Sequence, residues 1–353
     1  MNSEVLIELL KIALGQMQPL SVTPQGNDWE KLLQMARKQA LLGVISPALD
    51  KLDDSQRPGI KIYLSWMLAA EKIEKCNARA VERCRELYCI LEKAGLRSCV
   101  LKGSAFAQYY DNPALRQSGD IDIWIEGGQG KVLENLRSRY RVGKVFYHHC
   151  SPRIFSDIEV EAHFMPSWMN SPVLNARLQE YYRAAAEEQF SNFDSGLGYC
   201  VPTPVFCCTH AFVHTFRHLY QEGVGLRQVM DCYEILKSLD AQRRQTVAED
   251  LERLGLKKFG AAMMYVLKVV FGLEEQKFLF EPDGRNGEFL LQDILSSGNF
   301  GLHGKNAGGL YNSNFAVRSF SKAARIVKIA RFCPREALWA PFFKLWQKCA
   351  YPK

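Results

Sequence analysis

Two aspartates one residue apart, Asp120 and Asp122, sit in the apolar run Asp120-Ile121-Asp122-Ile123-Trp124-Ile125. In an extended strand side chains alternate faces, so the two carboxylates share one face while Ile121, Ile123 and Ile125 take the other. Carboxylates held that close repel each other, and a divalent cation turns the repulsion into binding. Further on, Ile158 to Phe164 read IEVEAHF. Alternation puts Glu159, Glu161 and His163 on one face, and Ile158, Val160, Ala162 and Phe164 on the other. Paired beside the aspartate strand, this segment can supply Glu161 as a third carboxylate to the same metal cluster.

Other groups along the chain have chemistry to offer. Cys99-Val100-Leu101 followed by Gly103-Ser104 and AFAQYY reads as strand, turn and helix. Such a turn presents backbone N–H groups and a hydroxyl to a phosphate. Arg116 lies four residues before Asp120, and its guanidinium suits bidentate phosphate contact. His210, His214 and His218 recur at i, i+4 and i+8, which stacks three imidazoles on one helical face. The residues between them are not those of the glutamate-bearing zinc-protease motif, so core histidines and cleft histidines both remain open readings. Arg227 and Asp231, also i and i+4, read as a helix-surface ion pair, and His148-His149 as strand-surface residues.

The segments LKGSAFAQYY, RQSGDIDIWI, EVEAHF and HAFVHTFRHLYQEGVGLRQVMDCYEIL together span roughly residues 99 to 237. This combination resembles the DNA polymerase beta-like nucleotidyltransferase superfamily, and most closely a bacterial branch of uncharacterised nucleotidyltransferases. The resemblance implies a small mixed sheet with helices on one side, two Mg²⁺ ions, and transfer of a nucleoside monophosphate from an NTP to a hydroxyl or similar acceptor. It implies that Asp120 and Asp122 bridge the metals and that Glu161 completes the catalytic site. Gly103 and Ser104 would hold the β- and γ-phosphates, with Lys102 or Arg116 offsetting the charge of the leaving pyrophosphate. It also places His163, His210, His214 and Arg227 near the cleft. Two features depart from the usual pattern: Ala105-Phe106-Ala107 after the turn is apolar, and the third carboxylate is a glutamate with Glu159 as a rival on the same face.

The elements that must position these groups divide the chain into four. Residues 1–95 read as helical, with Trp29 to Leu52 one amphipathic run. After Pro58-Gly59, Ile73, Cys76, Ala80, Cys84, Leu87 and Leu91 form a stripe at helical spacing that Gly95 ends. Residues 96–200 form the α/β core, in which residues 142–149 read as a further strand. Residues 201–300 return to helix and close the cleft, and residues 301–353 form a basic, aromatic-rich helical tail. The fold class expected is therefore α+β, a small mixed sheet embedded between helical regions.

Composition narrows the setting. No stretch of about 18 uninterrupted apolar residues occurs, so no membrane span is expected. The first residues read as an amphipathic helix rather than a secretory signal. Eleven cysteines without a C-x-x-C pair fit buried thiols in a reducing cytoplasm. The net charge of +7 has its source in the tail, where residues 301–353 hold ten lysines or arginines against the single acid Glu336. Arg318, Lys322, Arg325 and Lys328 make one basic stripe there, which points to a solvated face, to polyanion contact through residues 315–353, or to anionic lipid. The acceptor itself, a small molecule, an RNA end or a protein side chain, is not legible. The alternatives to an enzyme are a catalytically idle nucleotide- or RNA-binding protein, and a helical interaction protein.

Overall fold

The computed structural model describes residues 2–17, 19–221, 223–298 and 323–351. It is α+β, with a small mixed sheet flanked by helices. Four helices precede the sheet: α1 (Asn2–Ala13), α2 (Asp28–Lys38), α3 (Leu42–Lys51) and α4 (Ile60–Lys93). The amphipathic run from Trp29 to Leu52 is thus two helices, broken where Ala40 adopts a left-handed φ of 54°. No glycine or proline interrupts Ile60–Lys93, and Gly95, at φ 70°, turns the chain out of α4. The inward stripe of α4 is Trp66, Ala70, Asn77, Cys84, Leu87 and Leu91. Cys76 is exposed, and the neighbouring Asn77 takes the inward place.

The main sheet comprises β1 (Ser98–Val100), β2 (Ile121–Ile125), β3 (Val142–Val145), β4 (His149–Pro152) and β5 (Val160–His163), in the order β1-β2-β5-β4-β3. Only the β2–β5 pair is parallel; the other pairs are antiparallel. Residues 142–149 are therefore not one strand. They are β3, a turn closed by Phe146 N–H donating to the His149 carbonyl at 2.8 Å, and the first residue of β4. Ile121, Ile123, Ile125, Val160 and Ala162 bury one sheet face against Leu87 and Leu91 of α4 and Val132 and Leu136 of α6 (Gly128–Arg137). That is the face assigned to these residues by alternation. A single turn of helix, α5 (Ser104–Ala107), follows β1.

After the sheet come α7 (Pro172–Ser191), a short hairpin of β6 (Phe193–Asp194) and β7 (Tyr199–Cys200), then α8 (Pro204–Gln221), α9 (Leu226–Ser238), α10 (Ala241–Arg253), α11 (Lys257–Phe271) and α12 (Gly284–Ser297). The first helices and the last share one core, with Leu6, Leu9 and Ile45 clustered with Phe212, Phe216, Phe259 and Leu267. Gln16, just past α1, reinforces this by donating to the Phe271 carbonyl at 2.6 Å.

Residues 323–329 are helical and lead to α13 (Pro334–Ala350). Of the basic stripe, Arg318 and Lys322 lie outside the described residues, while Arg325 and Lys328 both pair with buried Asp293, at 3.0 and 2.8 Å. Glu336 anchors α13. It is fully buried and accepts from the backbone N–H groups of Asn170 and Ser171, each at 2.7 Å, with Arg217 at 3.6 Å. All eleven cysteines are free thiols. Among the described residues no helix is long and apolar enough to cross a membrane.

Removing the Glu336 carboxylate leaves two buried N–H groups unsatisfied and takes from the buried Arg217 guanidinium its ion-pair partner. Glu336→Ala should therefore cost roughly 3 kcal/mol, by the usual penalties for orphaned buried donors. Urea denaturation checks this, and an unchanged midpoint would show that α13 does not depend on that contact.

Candidate active site

The parallel register of β2 and β5 puts Asp122 directly opposite Glu161. Asp120 occupies the residue before β2, at the mouth of the site, while Asp122 is buried. Glu159 lies ahead of β5 and is exposed; its carbonyl accepts from Ile121 N–H at 2.9 Å. Of the two glutamates on that face, Glu161 is thus the one that meets the aspartate strand.

Lys102, two residues past β1, sends Nζ to within 2.7 Å of Asp122 Oδ1. His163 Nε2 reaches the same oxygen at 2.9 Å and Glu161 Oε2 at 3.5 Å. Gly103 turns the chain at φ 64° and ψ −115°. An added Cβ would meet no atom within 4 Å there, so what demands glycine is the backbone conformation rather than crowding.

The next stretch is held from two sides. Asn77 of α4 donates through Nδ2 to the carbonyls of Ala114 and Arg116, at 2.5 and 2.8 Å. From α9, Asp231 receives Arg116 Nε and Nη2 at 2.7 and 2.8 Å, the Tyr110 hydroxyl at 2.7 Å and Arg227 Nη1 at 3.2 Å. Arg227 and Asp231 are therefore a buried pair, not a surface one, because α9 packs its first turns against the segment before β2. Two guanidiniums thus meet on one carboxylate in this corner.

Lys102, Gly103, Arg116, Asp120, Asp122, His214, Arg227 and Asp231 line one concavity of about 150 Å³. That is below the roughly 300–1,000 Å³ of ligand-holding clefts, room for phosphates and cations rather than for a whole nucleotide. His210 lies deeper, fully buried among Phe106, Phe206 and Tyr182, with Nδ1 3.3 Å from the Tyr182 hydroxyl. Burial pushes the His210 imidazole down to about 3, so it is neutral. The Ser104 hydroxyl accepts from Tyr199 at 2.6 Å and lines a neighbouring, more apolar concavity. The helical start expected after Gly103 is only one turn, and the N–H groups of Ala105 and Phe106 bond back to the Lys102 and Gly103 carbonyls.

The electrostatics show where a cation fits. The charge of Asp122, then burial, pushes the Asp120 carboxyl up to about 6. Burial alone would raise Asp122 as well, but Lys102 and His163 hold it far below the carboxylate range. Glu161, despite burial, is lowered by His163. His163 itself is raised by the two carboxylates against the opposing effect of burial. Ligand atoms of Asp122, Glu161 and His163 lie within 4.8 Å of one another. Hard carboxylate oxygens suit Mg²⁺, and the repulsion recorded at Asp120 is what such an ion relieves, so the donor set fits a hard divalent cation.

Asp231, Asn77 and Tyr110 were not singled out as site residues from the sequence. Asn77 left one signal, a polar residue beside an otherwise apolar stripe. His148 and His149 also differ from the surface assignment: His149 is buried, and His148 is half-buried against Trp168.

With this geometry the family match is informative. The chain belongs to the family described as uncharacterised nucleotidyltransferase, whose model matches residues 25–272. The match runs from just before α2 to the end of α11, and so includes the whole sheet and the concavity. Neither a curated protein nor a solved structure matches the chain.

Asp120 has a raised folded-state pKa, so its contribution to stability is full below the unfolded value near 3.8 and is lost as pH rises through about 6. Asp120→Asn should accordingly raise Tm by roughly 2 °C at pH 7.5, with the gap closing below about pH 4. Thermal scans at the two pH values check this, and a less stable variant at pH 7.5 would contradict it. Asp231→Ala deprives the buried Arg116 guanidinium of its carboxylate and should cost roughly 3–5 kcal/mol by chemical denaturation.

Proposed function

We propose that the chain is a metal-dependent nucleotidyltransferase, moving a nucleoside monophosphate from an NTP to a hydroxyl-type acceptor. The observation that carries this reading is the register of Asp122 against Glu161, with Asp120 at the strand entrance and Lys102 and Arg227 lining the same concavity. Asp120, Asp122 and Glu161 would hold Mg²⁺. When bound, two such ions neutralise and align the oxygens that enter and leave the α-phosphate.

The protein's own groups have separable tasks. Lys102 and Arg227 line the concavity and offset the charge of the triphosphate and of the departing pyrophosphate. Arg116 donates Nε and Nη2 to Asp231 and Nη1 to the Ser118 hydroxyl, so it acts by fixing the segment ahead of Asp120 rather than as a free phosphate clamp. The backbone turn at Gly103 faces the same space and lets a phosphate approach closely. Glu161 would accept the acceptor's proton, and His163 would keep that side chain oriented. His214 lines the concavity where an acceptor could meet it; His210, sealed in the core, supports the helix instead.

One observation favours a second reading. Lys102 and His163 already engage Asp122 without any metal ion, as a nucleotide-binding protein without transfer activity would allow. Calorimetric titration of the four NTPs, with and without Mg²⁺, separates the cases when it is followed by assay of pyrophosphate release. Magnesium-dependent binding and pyrophosphate release, both lost in Asp120→Asn/Asp122→Asn, are expected. Binding without release for any hydroxyl acceptor tried would favour the idle reading, and no binding of any NTP would sink both.

A further inference from the structure

Beside the carboxylates lies a second group of possible ligands. The turn between β3 and β4 carries His148, β4 opens with His149, and the antiparallel β4–β5 pairing sets His149 directly opposite His163. Phe164 N–H donates to the His148 carbonyl at 2.8 Å, which fixes the turn against the end of β5. The ring centroids of His148 and His149 are 4.2 Å apart, and each is 5.3 Å from that of His163. One ring nitrogen from each lies within 4.8 Å of those of the other two.

We propose that His148, His149 and His163 bind a borderline divalent transition ion of the Zn²⁺ kind, at a site distinct from the three-carboxylate cluster. Three observations support this. His148 Nε2 and His149 Nδ1 face each other at 2.8 Å, nitrogen to nitrogen, which suits two ligands on one ion. His163 is only 3% exposed, and its Nδ1 has no hydrogen-bond partner among the described residues. Buried polar nitrogens are rarely left so, and a metal is one of the standard explanations.

The third observation concerns the nitrogens that remain. His149 Nε2 lies 3.4 Å from Glu161 Oε1, and His163 Nε2 lies 2.9 Å from Asp122 Oδ1. Histidines that ligate metals commonly offer the other ring nitrogen to a carboxylate, which sets tautomer and orientation. Two of the three candidate ligands have that carboxylate already in place. The donor set is all imidazole, which suits Zn²⁺, Cu²⁺, Ni²⁺ or Fe²⁺ and disfavours Mg²⁺. His148 is the least buried of the three. A metal held here would lock the His163 ring against Asp122, so His163 is a positioning residue shared by two sites.

The site does not depend on nucleotide transfer, so it can be tested apart from it. Full-length protein is stripped with chelator and titrated with Co²⁺ and then Zn²⁺, in excess Mg²⁺ that occupies the carboxylates. Visible absorption of bound Co²⁺ and calorimetry give the readouts. One equivalent is expected in wild type and in Asp120→Asn, with affinity falling at least tenfold in His148→Gln and in His149→Gln. Should either glutamine variant fail to fold, X-ray absorption of Zn²⁺-loaded wild type decides, with three imidazole nitrogens around the ion expected. No binding by stripped wild type, binding that survives both glutamine substitutions, or a shell with fewer than three imidazoles would overturn the proposal.

Discussion

The whole arrangement rests on one parallel strand pair. β2 and β5 are the only parallel neighbours in the main sheet, and their register sets Asp122 against Glu161. Because side chains alternate along a strand, a slip of one residue would swing every side chain of β5 to the opposite face. The apolar residues of β2 and β5 pin that register, since Ile121, Ile123, Val160 and Ala162 must all reach the core shared with α4 and α6. The same burial that stabilises the sheet therefore presents like charges to one another on its other face. Lys102 and His163 offset most of the resulting repulsion at Asp122, and the remainder shows in the raised carboxyl of Asp120.

A second constraint joins the sheet to the helices behind it. Asp231 collects Arg116, Arg227 and Tyr110 in a buried network, a costly arrangement to desolvate and one that holds only while every partner is present. It explains why Arg116, which looks from its position like a phosphate ligand, has its bidentate geometry turned inward. Arg227 still lines the concavity, so the network contributes a guanidinium to it while holding that side chain in place.

Alternation made the local parts of the site legible. The face shared by Asp120 and Asp122, the opposite face of isoleucines, and the Glu161–His163 face of β5 follow from a period of two and need no tertiary knowledge. Asn77 with the Arg116 carbonyl, and Arg116 with Asp231, are joined across 39 and 115 residues of sequence, and no local pattern announces them. The same holds for His148 and His149, whose inward course is set by the hairpin turn rather than by their own alternation. Within the helices, the apolar stripe of α4 was visible, yet Cys76 and Asn77 exchanged places, since a helical face is broad and polar residues enter it where they find carbonyls to satisfy. Glu336 is the extreme case: in sequence it is the lone acid of a basic tail, and in the fold it is the buried peg that fastens that tail.

The segment from Ala114 to Ser118 is gripped by Asn77 on one side and, through Arg116, by Asp231 on the other, and Asp120 follows two residues later. α4 is 34 residues long and runs from the helical layer, at Trp66, to the underside of the sheet, at Leu91. It works as a strut, and the Asn77 amide is the pin through it. A shift of the helical layer against the sheet would therefore pull on the segment that leads to the carboxylate at the mouth of the site, through the same few bonds that fix it.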